Sequence, residues 1–493
     1  MVDRKATKAK KIIICLFCFV IVTLGTFFGV QFFTKTGFFR IPGVVYYDGP
    51  FDADTEAKLK SIFTEEIDLD KDVHITTYNS FTKTDLAEGE FLHKIYVPVT
   101  DYYSLDEGIE AETPDELFSN DTTDYSLIDF DELDFKKHLL SLNGSYYLDS
   151  FEKGAVFTII KFESEKYEEE IAPLIGDSFG ITAPSKETVL TFAQTGVTAL
   201  SRGMNAKLNS VGDAKYFAAE IKDFLSSFDL THTSNESSFT NYANSSNICS
   251  DPRFIDTLTE IGLDIVELTG NHNQDCGIDA ASETIDTYIE NNISLVGGGK
   301  NVTEAAKPLQ INQKGSGITF LAYNESTGGA TYGNTPGANQ YYEENAVTEI
   351  NAAKERGDFV IVDIQYYECN SYASTYEDPI CDRADSSAGD QIGFFRHLID
   401  LGADVVVGTS AHQAQTYELY EGGAIYYGLG NLFFDQVWWP GTTRSLVLGH
   451  YFYNGKLLQT KISGTVYDND MQTKLLDKET LEWWLTRLQS VRP

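Results

Sequence analysis

The chain has 493 residues, enough for two or three domains, and its 42% hydrophobic content with 28 Tyr and 32 Phe is a globular composition rather than a disordered one. Lys and Arg number 37 against 74 Asp and Glu, and a net charge of −37 argues against nucleic acid as a general partner, because phosphate binding needs clustered cations. A small anionic substrate held locally by a metal is still compatible with that charge.

Residues 1–11, "MVDRKATKAKK", form a basic tail. Residues 12–33, "IIICLFCFVIVTLGTFFGVQFF", carry no charge. At helical rise such a run reaches ~33 Å, the reach of a transmembrane anchor. With basic residues on the amino side, the expectation is a single-pass protein of the cell membrane, its N-terminus cytoplasmic and its main body, from about residue 41, extracellular. Residues 41–185 read as a smaller accessory α/β domain, with an amphipathic helix over "DTEAKLKSIFTEEI" (54–67) and a strand over "KIYVPVTDYY" (94–103).

From residue 186 to 493 the pattern changes to regular alternation. "TVLTFAQTG" (188–196) predicts a strand and "DAKYFAAEIKDFLSSF" (213–228) a helix opened by Asp213. The helix "DPRFIDTLTEIG", the strand "LDIVELTG", the helix "DAASETIDTYIENN" and the strand "ISLVGGG" follow. "GITFLAYNE", "DFVIVDIQYYE" and "ADVVVGTSAH" predict strands, interleaved with the helices "ENAVTEINAAKERG" and "DQIGFFRHLIDLG", before a strand-rich end. Such alternation is the mark of an α/β fold, whose functional loops leave the carboxyl ends of strands.

Beyond residue 40 there are four cysteines, Cys249, Cys276, Cys369 and Cys381. Four cysteines allow three connectivities, and free thiols are the other reading. Cys369 and Cys381 flank the short polar stretch "NSYASTYEDPI" and are the first pair to join.

Five strand-end loops carry the candidate chemistry: "TGVTALSRG" (195–203), "SNESSF" (234–239), "TGNHNQDCG" (269–277), "IQYYE" (364–368) and "GTSAHQAQ" (408–415). Asn, His and carboxylate groups on converging loops can hold a divalent ion that polarises an oxygen or activates water. A loop histidine such as His412 also has a plain structural reading as a hydrogen-bonded residue. In the same plain reading, Asn271 and Asp275 cap the next helix.

"GNHNQDCG", then "VGGG" after a helix, then "GADVVVGTSAHQAQTYELYEGGAIYYGLGNLFFD" resemble the CapA family of poly-γ-glutamate capsule synthesis, over roughly residues 188–440. That family is similar to calcineurin-like metallophosphatases. The resemblance implies a four-layer α/β/β/α sandwich over 186–493 and a membrane-attached role in making or exporting an anionic polymer. It implies as partners the capsule polymer and a membrane polymer synthase complex.

Carried over by position, the resemblance makes Glu236, Asn271, His272 and His412 the ligands of one divalent ion. His272, Asp275 and His412 become the catalytic groups, with Asn235, Arg202, Gln365, Glu368 and Asn431 lining the cleft. Val197, Gln365 and Ser410 stand where the family has an aspartate and two histidines, so at most one ion is expected. Two functions follow: a metal-assisted hydrolase or transferase on an envelope precursor, or a non-catalytic polymer-binding or scaffold subunit.

Overall fold

The protein is described by a computed structural model covering residues 43–49, 51–64, 69–83, 85–119, 124–175, 180–325 and 328–493. Contacts divide it into two units. The smaller contains the described residues up to Ile95 together with Val156–Thr182, and residues 96–155, read above as accessory, belong by contacts to the larger. In the smaller unit, Val45–Tyr47 runs parallel to Val73–Ser80, which pairs antiparallel with Val156–Glu163. The helix Ala53–Ile62 starts where Asp52 accepts from the Thr55 amide, and packs Leu59 with Val73, Ile75, Ile160 and Phe162.

The larger unit is built on two sheets. The first opens with β1 (Leu190–Thr198), β2 (Leu230–Asn235), β3 (Ile265–Glu267) and β4 (Ser294–Val296), all parallel. The chain then makes the second sheet from β5 (Leu309–Gln313), β6 (Ser316–Asn324), β7 (Phe359–Gln365), β8 (Val405–Gly408), β9 (Tyr417–Tyr420) and β10 (Gly423–Tyr426). It returns to the first sheet with β11 (Asn431–Phe433), β12 (Arg444–Tyr453), β13 (Lys456–Val466) and β14 (Lys474–Leu475). The spatial orders are β4-β3-β2-β1-β12-β13-β14, with β11 beside β1, and β5-β6-β7-β8-β10-β9.

Period-two alternation sorts the side chains into layers. Phe192, Ile318, Phe320, Phe359, Ile361, Val405 and Val407 meet in a core that joins both sheets. Their neighbours point the other way. Ala193 and Val266 pack with Met204 and Leu208 of the helix Gly203–Val211. Val360, Val362 and Val406 pack with Ile350 of the helix Glu343–Glu355 and with Phe395 and Leu398 of the helix Gln391–Asp400. Each sheet therefore has one face against the other sheet and one against helices.

The predicted helix over 213–228 forms instead as a 3-10 turn at Ala214–Ala218 and a short helix at Lys222–Leu225. Tertiary packing accounts for the break, since Phe217, Ala218, Ile221 and Leu225 are all drawn into the helix-side core. Among the described residues there are two disulfides. Cys369 joins Cys381 with Cα atoms 5.6 Å apart, and Cys249 joins Cys276 at 5.8 Å.

The transmembrane part of the sequence-based expectation is corrected. Among the described residues no helix is long and apolar enough to cross a membrane. The segment that prompted it, 12–33, lies outside the described residues. The fold is accordingly stated without a membrane span, and a membrane-anchored function, single-pass topology and extracellular placement are withdrawn.

Candidate functional site

The candidate site lies at the carboxyl ends of β2, β3, β7 and β8. Glu236 follows β2 directly, with its amide donating to the Thr198 carbonyl at 3.0 Å, and its side chain is 1% exposed. The loop after β3 crosses Glu236 at Gly270, where an added Cβ would lie 2.7 Å from the Glu236 Cα. Only glycine permits that approach, which explains the Thr-Gly pair that opens the loop. Asn273 then donates to the Leu268 carbonyl at 2.7 Å, and its own carbonyl accepts from Ser238 at 2.6 Å. The second disulfide ties this loop to the segment that follows β2.

His412, 3% exposed, is the centre of the cluster. Asn431 fixes its tautomer. The Asn431 Nδ2 donates to Gln436 Oε1 and to the Thr442 carbonyl, both at 3.1 Å, so its Oδ1 faces His412 Nδ1 at 2.8 Å and accepts a proton from it. The other ring nitrogen, Nε2, is left facing two carboxylates, Glu236 at 3.8 Å and Glu368 at 3.7 Å. Burial pushes the imidazole down, but Glu236 and Glu368 outweigh it and hold it up at about 9. Burial pushes the Glu236 carboxyl up. It would do the same to Glu368, but His412 and the Tyr372 hydroxyl, which donates to it at 2.7 Å, hold Glu368 down at about 2. His272 adds positive character near both carboxyls, while its Nδ1 meets Asp275 Oδ2 at 2.7 Å.

The remaining sequence candidates take supporting places. Gln365 donates to Asn271 Oδ1 at 3.1 Å, joining the β7 and β3 loops. Ser410 accepts from the Tyr366 amide at 3.0 Å. Asn235 turns back to donate to the Ser237 carbonyl at 2.8 Å. Arg202 is clamped on Asp435, at 2.6 Å and 3.1 Å, and stacks on Phe434 and Trp438. Its φ of 49° is unusual for a residue with a side chain, and Asp435 secures the turn by also accepting from the Gly203 amide. Sequence reasoning missed Tyr372, Phe434 and Asp435. Tyr372 had one available signal, a polar aromatic four residues after Glu368 inside the disulfide-closed loop.

For a divalent ion the donor types are suitable. Both Glu236 carboxylate oxygens and Gln365 Oε1 are buried without hydrogen-bond partners, and His412 presents Nε2 beside them. Their spacing is wider than coordination requires, and among the described residues no three His, Cys, Asp or Glu side chains stand as a metal-holding group.

The family model described as "Bacterial capsule synthesis protein PGA_cap" matches residues 191–436, which include every residue of the His412 cluster. The chain is similar to "PGA biosynthesis protein CapA" of Bacillus subtilis (strain 168), 29% identical over 205 residues, covering 41% of this chain and 50% of the relative. It is also similar to "Capsule biosynthesis protein CapA" of Bacillus anthracis, 25% identical over 241 residues, covering 47% and 56%. The chain thus spans about half the length of the curated relatives it matches. On these grounds the chain belongs to the CapA (PGA_cap) family of bacterial capsule synthesis proteins.

Proposed function

We propose that the chain takes part in making a capsule polymer of the poly-γ-glutamate kind, with Glu236, Glu368 and His412 as its acid–base centre. The observation that carries this reading is the imidazole Nε2 aimed at two carboxylates, its proton placement set by Asn431, within the family-matched residues. An imidazolium stabilised in this way is a positioned proton donor, and Glu368, aligned by Tyr372, is a positioned acceptor. With His412 Nε2 unprotonated and the loops drawn closer, Glu236, Asn271, His272 and His412 would hold one divalent ion, whose charge would take the place of the imidazolium against an oxygen of the substrate.

In cells that make polymer with this chain, His412→Gln is expected to slow the dependent step by about 100-fold or more at equal protein level. Polymer yield per cell reads the effect, and an unchanged yield would overturn the acid–base reading. The non-catalytic alternative draws support from Val197, Gln365 and Ser410, which replace usual ligand types. Elemental analysis of chain never exposed to chelator is expected to find at most one tightly bound divalent ion per chain, and two would refute the single-ion proposal.

A further inference from the structure

All four tryptophans of the sequence lie in two pairs, Trp438–Trp439 and Trp483–Trp484; Trp484 is buried in the core, Trp483 flanks Arg444 together with Tyr376, and Trp439 packs on Tyr372 of the loop that carries Tyr376. Trp438 is 52% exposed, Trp483 42%, and Trp439 and Tyr376 37% each. So much indole held in water calls for an occupant. The surface runs into the site: the Trp439 ring is 5.4 Å from the Tyr372 ring, which is 6.0 Å from His412. Tyr376, in the same disulfide-closed loop as Tyr372, meets Thr443 at 3.1 Å.

Three arginines stack here, in a chain with twice as many acids as bases. Arg202 is paired with Asp435 and Arg487 with Asp382. Arg444 differs. Its guanidinium lies 3.8 Å from the Tyr376 ring centre, with Trp483 and Trp484 at 5.7 Å and 5.9 Å. Among the described residues it has no ion-pair partner, and its Nε is buried without a hydrogen bond. Glu377 and Asp477 act on it only electrostatically. With its Nε buried, the two Nη groups of Arg444 are the ones left to take a carboxylate, in the fork that matches both of its oxygens.

We infer that the surface formed by Arg444, Tyr376, Trp438, Trp439 and Trp483 is a track that receives a linear polyamide bearing carboxylates and leads it to His412. Carboxylates of the polymer meet Arg444, and the methylene segments between them lie on the indoles. The class of polymer rests on the function proposed above; the track itself rests on the unpaired arginine and its aromatic surround.

The test is a titration of the full chain with poly-γ-glutamate oligomers, followed by tryptophan emission. Three of the four tryptophans, Trp438, Trp439 and Trp483, are exposed on this surface, so binding is expected to change the emission saturably and to weaken as salt is added. Arg444→Gln is expected to weaken binding about tenfold, because a charge-assisted pair is lost. Trp439→Ala, which leaves β12 untouched, should also weaken it, and thermal melting of both variants checks that the fold is retained. Neutral dextran should leave emission unchanged. Equal affinity in wild type and both variants would overturn the track even if His412→Gln stops polymer production. An equal response to dextran would overturn the carboxylate assignment. Polymer production that survives His412→Gln, with binding still dependent on Arg444, would remove the acid–base reading and leave the track standing.

Discussion

Replacing Asp363 by alanine is expected to destabilise the larger unit by about 3 kcal/mol or more, the usual effect of stripping one partner from a buried charged group. Asp363 projects from β7 between the sheets with 0% exposure. It accepts from Gln194 Nε2 on β1 at 2.5 Å and lies 3.1 Å from His232 Nε2 on β2, an ion-pair distance without the alignment of a hydrogen bond. Alanine would leave the amide and the imidazole in a buried polar cluster without the carboxylate they face. One effect opposes the loss, because Asp363 also repels the carboxyl of Glu267. The double variant Asp363→Ala/Glu267→Gln should therefore depart from the sum of the single effects. Urea unfolding followed by tryptophan emission reads the larger unit alone, since all four tryptophans belong to it. A loss below about 1 kcal/mol would show that water or rearrangement satisfies the partners.

Glu267→Gln should remove a pH dependence. Burial first, and then the charge of Asp363, push the Glu267 carboxyl from 4.5 up to about 7. A folded-state value above the unfolded one means that the folded chain holds the proton more tightly. The stability this carboxyl contributes is fully present below about pH 4.5 and is lost as pH rises through about 7. Glutamine keeps the oxygen that accepts from the Thr269 amide and hydroxyl. The variant should match the wild type near pH 4 and exceed it near pH 8 by on the order of 3 kcal/mol, the linkage value of that shift. Unfolding midpoints at both pH values decide it, and a constant offset between the two proteins would contradict it.

Neither residue was singled out from sequence, and the reason is physical. Gln194 and Asp363 are 169 positions apart, and nothing local distinguishes an inward polar residue from an outward one in a strand read as nearly continuous apolar sequence. The strands themselves were legible, because runs such as "DFVIVDIQ" bury on both faces. The loops were legible where ligand types crowded behind a glycine, and Glu236, Gln365 and His412 do converge with Asn271 and Glu368. The role of Asn431 was readable only as proximity; its grip on His412 Nδ1 depends on three acceptors gathered from other segments. Cys249 and Cys276 stand 27 residues apart, and only the meeting of the β2 and β3 loops selects that pairing. Arg202 was placed at the cleft by the resemblance alone, and nothing local in the sequence announces Asp435, far along the chain, as the partner that holds its side chain.

Strand β7 measures out both core and chemistry along a single edge. Phe359 and Ile361 enter the apolar space between the sheets, Asp363 enters the buried polar cluster next to it, and Gln365 reaches the cleft loop at Asn271, all on one face. Val360, Val362 and Ile364 occupy the opposite face against the helices. Insertion or deletion of one residue within the strand would exchange the two sets beyond that point, driving Asp363 toward the helices and an aliphatic chain toward the cleft. Substitution at 365 leaves the phase intact, so new polar chemistry can be tried there without disturbing the helix contacts or the buried cluster at 363. Descent within this fold should accordingly alter position 365 by replacement and keep the length of β7 fixed.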